Sequence, residues 1–219
     1  MNNLISIIMP VKNGEKYLKE AIDGIHNQKM NVEIVLVNDG STDKTAEIAA
    51  ENGCVVINHE KSLGQVVAKN TGLKHAKGEY IMFHDGDDVM TEGSLQALLD
   101  ALTSDVKASA VMGKVKDFLS PDCADATGAK PEAFYGLFTG AVLMHRKVFD
   151  VIGFFNEDVH TGEIIEWNNQ MVAHGLDVKK VDIITTNRRI HNTNFGKTNR
   201  AKEFSDYAQI LRRKLKQSN

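Results

Sequence analysis

GEYIMFHDGDD, residues 78–88, is an apolar run that ends in a knot of carboxylates. Gly78 stops what precedes it, and the residues that follow have the length and side chains of a buried strand, expected over 79–85. Open α/β sheets take their ligands beyond the carboxyl ends of the strands, so Asp85, Asp87 and Asp88 are expected to project into a crevice rather than into the core. Clustered carboxylates repel one another, and a divalent cation is the usual relief. The alternative is a plain turn rich in Asp and Gly.

Working outward, strands alternate with helices, the pattern of a parallel sheet covered on both faces. LISIIMPV, residues 4–11, opens the chain as a strand. A helix is expected over 15–28 with Asn13 as its cap, then a strand over Val32–Asn38, a helix over 42–52 capped by Ser41, a strand over Val55–Asn58 and a helix over 62–76. After the acidic block come a helix over 91–102 and a strand over 108–118. Residues 119–134 hold two of the three prolines and show no period, so they read as a long connection of the kind that often carries function. GAVLMHRKVFDVIG, residues 140–153, combines a short strand with a helix; a helix over 164–174 and strand material over 176–190 follow.

The 219 residues fit a single α/β domain over 1–199 with a basic tail over 200–219. Apolar residues at 42% and charged residues at 25% give a globular mixture. The net charge of −3 argues against nucleic-acid binding through a basic surface. No apolar run reaches the ~20 residues of a membrane helix, and no secretory signal is evident. Two cysteines, neither in a CxxC pair, imply reduced thiols and a cytoplasmic setting. Positive charge gathers after residue 196, where the chain carries +5 against −8 for the remainder. Such a tail could make a peripheral contact with an anionic membrane or acceptor, or be a solvated docking helix, which its few apolar residues favour.

Other Asp-rich chemistries fail on position. An EF-hand loop from Asp85 needs Gly sixth and Glu twelfth, where Met90 and Gln96 stand. An aspartyl-nucleophile phosphatase would carry its Asp pair after the first strand. P-loop and GxGxxG motifs are absent, as is the Gly-rich opening of a sugar nucleotidyltransferase. VNDGSTD, residues 37–43, supplies a second strand-end carboxylate, Asp39, before a helix N-terminus, and an Asp there can accept from the ring N–H of a uracil-like base.

Taken in order, SIIMPVKNGEKYL, VNDGSTDKT and LGQVVAKNTGLKHAKGEYIMFHDGDD resemble the opening motifs of the inverting glycosyltransferases of family 2. GLFTGAVLMHRKVFDVIGFFNED resembles their acceptor-side segment, and RRIHNTN an Arg/His element near the end. The resemblance implies the GT-A fold, a mostly parallel central sheet flanked by helices, with a nucleotide-binding half over about 1–103 and an acceptor-side half over about 104–199. It implies metal-dependent transfer of a sugar from a nucleotide diphosphate sugar, most commonly a uridine diphosphate sugar, to an acceptor hydroxyl with inversion. The short chain argues against a processive polysaccharide synthase.

Carried over residue by residue, Pro10, Val11, Asn13 and Glu15 would cradle base and ribose, and Asp39 would contact uracil. Lys69, where Arg is frequent, would touch base or diphosphate unless it is merely solvated charge on an exposed helix face. Asp85, Gly86 and Asp87 form the DxD block against the nucleotide. Asp85, Asp87 and His191 are the candidate ligands of Mn²⁺ or Mg²⁺, with Arg188 or Arg189 adding positive charge beside the diphosphate. The acceptor would lie between the Gly136 to Gly140 segment and the Glu163 helix. Family members often carry Glu-Asp ahead of this helix, the Asp acting as general base, but here Ile164 takes the Asp position. Glu163 and Glu166, three apart, are the remaining candidates, Glu163 lying nearer the family's position. A nucleotide-sugar-binding protein without transferase activity is the alternative that Ile164 raises.

Overall fold

The computed structural model describes residues 3–123, 127–136, 139–160, 162–194 and Ile210. Apart from Ile210 the basic tail lies outside the described residues, as do two positions of the 136–140 segment. Eight strands form one sheet in the order β3-β2-β1-β4-β7-β6-β8-β5. The strands are β1 (Ile5–Val11), β2 (Val32–Asn38), β3 (Val55–Asn58), β4 (Tyr80–Phe83), β5 (Val89–Met90), β6 (Ala108–Leu119), β7 (Val142–His145) and β8 (Asp177–Ile190). The helices are α1 (Leu18–His26), α2 (Thr45–Glu51), α3 (Gln65–His75), α4 (Ser94–Thr103), α5 (Lys147–Ile152) and α6 (Glu163–Ala173). β1 to β4 are mutually parallel; β7 runs against β4 and β6, and β5 against β8, so the sheet is mixed while most strands share one direction.

Alternation along the strands builds two cores. Ile5, Ile7 and Met9 of β1, Ile34 and Leu36 of β2, and Tyr80 and Met82 of β4 face α1 and α4, where Ile22, Ile25, Leu95 and Leu98 meet them. Ile8, Val35, Ile81 and Phe83 face the other way, onto Val66 and Leu73 of α3, Phe149 of α5 and Trp167 of α6. Period-2 strands between amphipathic helices force this arrangement, and each fully buried side chain of this size contributes ~1.5–3 kcal/mol. α3 lies so close to β1 that a Cβ on Gly72 would stand 2.3 Å from Ile8 Cγ2.

Pro10 shows how the sheet opens at its functional end. Ile8 O accepts from His84 N on the β4 side and Val11 O from Asp39 N on the β2 side, so Pro10 faces β4. β4 has already ended at Phe83, and the missing proline N–H costs nothing there.

Several element ends differ from expectation. α1 starts at Leu18, and Asn13 does not cap it: Asn13 takes φ +53 and its Oδ1 accepts Thr42 N instead. Ser41 does not cap α2; its Oγ accepts Asn13 N, while Asp43 accepts from Thr45 N and Oγ1. Ser62 lies ahead of α3 and donates to Asp39. β5, two residues long, is not among the expected strands because so short a run carries no periodicity; it exists through pairing with β8.

Candidate active site

The first two loops clip together at the ends of β1 and β2. Asn13 N donates to Ser41 Oγ at 2.9 Å, Gly14 N to Thr45 Oγ1 at 2.8 Å and Glu15 N to Asp43 Oδ2 at 3.0 Å. In return Thr42 N donates to Asn13 Oδ1 at 2.9 Å and Lys44 N to Glu15 Oε2 at 3.1 Å. Asn13 and Glu15 are therefore structural joints as they stand, each keeping spare acceptor capacity.

Asp39, 4% exposed, accepts four hydrogen bonds from the following connection: His59 Nδ1 at 2.7 Å, Ser62 Oγ at 2.7 Å, Leu63 N at 2.8 Å and Gly64 N at 3.0 Å. Burial by itself would raise this carboxyl; the donors outweigh it and hold the group below the usual carboxylate range. Gly40 permits the approach, because at φ +66 a Cβ there would lie 2.5 Å from Ser62 N. The sequence gives no sign of His59 and Ser62 in this role, since neither belongs to a motif.

At the end of β4 the block turns. Gly86 packs on Val11, where a Cβ would come 2.8 Å from Val11 Cγ2, bringing the turn against the first loop. Asp87 Oδ2 lies 2.8 Å from His191 Nε2, so two expected metal ligands 104 residues apart meet. His191 Nδ1 is held by Thr193 Oγ1 at 2.9 Å, and its ring lies 5.0 Å from that of Tyr17. Asp85 accepts Gln65 Nε2 at 3.4 Å and is pushed up to about 6, burial first, then Asp87 and Glu163, with Lys69 and Arg188 opposing. Asp88 does not enter the crevice: it is 6% exposed and accepts Arg189 N at 2.9 Å, a structural link to β8. Burial, then Asp87 and Asp85, drive its carboxyl well above the usual range.

Lys69 is not on an exposed face. It is 2% exposed and ion-paired with Glu163, joining α3 to the first turn of α6. Ile164 belongs to the core with Phe83 and Phe155, which is why no carboxylate stands there. Glu166, one turn on, accepts Asn156 Nδ2 at 3.2 Å. Arg188 is held on β6 by a two-pronged pair with Asp117, both contacts 2.8 Å. Arg189 donates to Asp87 O at 2.9 Å and Glu20 Oε2 at 2.5 Å, with its guanidinium 4.6 Å from both the Tyr17 and the Phe118 ring centroids. The 119–123 part of the long connection closes on the residues just ahead of α1, Ser120 and Asp122 meeting Tyr17 and Asp122 also pairing with Lys16. His84, unnoticed in the sequence beyond its place in the block, is fully buried, and burial lowers it to about 4.

Among the described residues no group of three or more His, Cys, Asp or Glu is arranged as a complete metal site. Asp87 Oδ2 and His191 Nε2 share a hydrogen bond at the end of β4, an oxygen and an imidazole nitrogen of the kind a divalent transition metal accepts together with phosphate and water.

A parallel first half with strand-end carboxylates and a mixed second half is a GT-A fold, as two solved structures show. Residues 1–349 of Staphylococcus aureus TarS in complex with UDP-GlcNAc match with a TM-score of 0.69 and 20% identity over 87% of this chain and 59% of that one. The mannosyltransferase PcManGT of Pyrobaculum calidifontis, in complex with GDP-Man and Mn²⁺, matches with a TM-score of 0.72 and 17% identity over 97% of this chain and 64% of that one. The chain belongs to glycosyl transferase family 2, whose model matches residues 6–154. Among curated relatives, glycosyltransferase GlyG of Streptococcus pneumoniae serotype 4 is 37% identical over 128 residues, 56% of this chain and 42% of GlyG. The chain thus spans less than half the length of that relative.

Proposed function

We propose that this chain transfers a sugar from a nucleotide diphosphate sugar, with a uridine diphosphate sugar the first candidate, to an acceptor hydroxyl with inversion at the anomeric carbon. The observation that carries the reading is the meeting of Asp87 and His191 at the end of β4, beside the buried Lys69–Glu163 pair, in a family 2 fold. The ends of β1 and β2, with Pro10, Val11 and Asp39, take the base, and spare acceptors on Asn13 and Glu15 take the ribose. Gly86 lets the DxD turn close on that loop. Lys69 and Arg188 contribute positive charge beside the diphosphate; both already act on Asp85.

A divalent cation, Mn²⁺ or Mg²⁺, held by Asp87 and His191 with Asp85 beside it would offset charge on the departing nucleotide diphosphate. The acceptor oxygen attacks the anomeric carbon from the side opposite the diphosphate, the bond to the diphosphate oxygen breaks, and the acceptor's proton passes to a carboxylate. Glu163 is the proposed base, because its charge is felt at Asp85 while Glu166 is turned to Asn156. With neither Cys54 nor Cys123 in a disulfide, the setting proposed is the cytoplasm.

Thermal denaturation with UDP tests the donor site: UDP with Mn²⁺ is expected to raise the Tm, and Asp87→Ala to remove most of the metal-dependent part. Equal stabilisation by UDP in chelator and in Mn²⁺ would sink the metal role. For the base, single-turnover transfer at saturating donor should fall ~10²–10⁴-fold in Glu163→Gln and far less in Glu166→Gln. Wild-type rates in both would remove carboxylate catalysis from the reading.

A further inference from the structure

We propose that Arg189 is the positioning residue of the Asp87–His191 pair, an assignment that rests on the metal-assisted transferase reading above and deepens it. The residue lies on β8 in register with Phe118 of β6, two positions ahead of His191. Its side chain bonds to two separate elements: Nε donates to the Asp87 carbonyl at 2.9 Å, and Nη2 donates to Glu20 of α1. Its own backbone N donates to Asp88 Oδ1 at 2.9 Å. Beyond β8, Asn194 links the same residue to His191, Nδ2 donating to Arg189 O at 3.0 Å and Oδ1 accepting His191 N at 2.6 Å. One residue thus fixes both members of the pair, Asp87 through a hydrogen bond to its backbone and His191 through the chain and the Asn194 link.

The DxD block needs such an anchor. β4 ends at Phe83 and β5 starts at Val89, so Asp87 sits in a turn between strands rather than in the sheet ladder. A guanidinium suits the task, because its planar fork can serve the Asp87 carbonyl and the Glu20 carboxylate at once, whereas a lysine ammonium is a point charge on a flexible stem. The Tyr17 and Phe118 ring centroids each lie 4.6 Å from the guanidinium carbon and restrain it. Tyr17 also stands 5.0 Å from the His191 ring, so one aromatic side chain borders both the anchor and the imidazole. With 4% exposure and these partners, Arg189 is built into the frame rather than held out as charge for a diphosphate. The two roles predict opposite outcomes. Removing a positive charge beside a cation site strengthens cation uptake, whereas losing a group that orients a metal ligand weakens it, typically ~10–100-fold.

The experiment reads Mn²⁺ uptake from loss of the free-ion EPR signal, with UDP equimolar to the protein and a protein-free blank, and UDP affinity in chelator by calorimetry. Arg189→Lys, which keeps the charge, and Arg189→Gln, which removes it, should both raise the Mn²⁺ dissociation constant ~10–100-fold and leave UDP affinity in chelator as it was. Phe118→Leu takes away a ring beside the guanidinium without changing any charge, so its effect reaches the pair through Arg189. A smaller loss, roughly two- to fivefold, is expected there. An unchanged Mn²⁺ constant in Arg189→Lys overturns the assignment, as does tighter Mn²⁺ binding in Arg189→Gln. Should neither Arg189 variant fold, an unchanged constant in Phe118→Leu overturns it. Failure of the wild type to take up Mn²⁺ with UDP would instead strike the metal reading. The anchor is then judged in chelator by amide exchange at Asp88 N, which donates to Asp85 O across the turn. Exchange there should quicken roughly tenfold in Arg189→Lys or Phe118→Leu while β1 amides keep their rates, and an unchanged Asp88 rate overturns the anchor.

Discussion

Asp39 looks in the sequence like a ligand contact and in the structure like the keystone of its own loop. Its carboxylate gathers two side chains and two backbone N–H groups, so removing the charge leaves buried donors without an acceptor. Asp39→Asn is therefore expected to cost at least ~2 kcal/mol at neutral pH. The sign with pH follows from the lowered carboxyl. A carboxyl whose folded pKa lies below its unfolded value stabilises fully above the unfolded value, ~4, and loses that contribution as pH falls through the folded value. The stability gap between wild type and Asp39→Asn should thus be constant from pH 7 to about 5 and close in stronger acid. Urea midpoints at pH 7 and pH 3 measure it, and an equal gap at both would show that the ionised network is not the source. The same variant should bind UDP more weakly while Mn²⁺ binding stays as it was, a separate readout by calorimetry.

Between elements, the contact with most consequence is the Lys69–Glu163 pair, which ties α3 to the first turn of α6. Breaking a buried pair by removing one partner typically costs ~3–5 kcal/mol, because the other charge is left uncompensated. Lys69→Met should show that loss in urea denaturation, and Lys69→Met with Glu163→Leu should recover much of it. If the double variant is no more stable than Lys69→Met alone, the two groups are not coupled. α3 gives a second test through Gly72, whose missing Cβ lets the helix lie on Ile8 and Val37. Gly72→Ala gains helix propensity on an isolated helix, yet here it must push β1 and α3 apart, so a net loss of ~1–3 kcal/mol is expected.

Over the whole molecule, order is densest where β1, β2 and β4 lie buried between helices, and thinner at the far edge. β5 has two residues, and β8 begins at exposed Asp177 with half-buried neighbours. Native-state hydrogen exchange should accordingly find the slowest amides in β1, β2 and β4, exchanging with the global unfolding free energy, and faster ones in β5 and the first half of β8. Uniform protection across all eight strands would contradict this. The connection after α5 and the first turn of α6 are bound to α3 by Asn70, whose side chain pairs with Phe155 N and O, besides the Lys69 pair.

Local chemistry made part of this legible in the sequence. Apolar strands of even period, glycine stops and strand-end aspartates depend on nearest neighbours, so β1, β2, β4 and the places of Asp39, Asp85 and Asp87 could be read directly, and the order of motifs identified the family. What lay beyond was decided by contacts across tens of residues. The direction of β7, the existence of β5, the burial of Lys69 and the turning of Asp88 to β8 all rest on partners that no local pattern announces. Lys69 in particular reads as a surface charge until α6 brings Glu163 to it. Burial in a low-dielectric site is a property of the packed chain, and a lysine takes its role from whatever carboxylate the fold sets beside it.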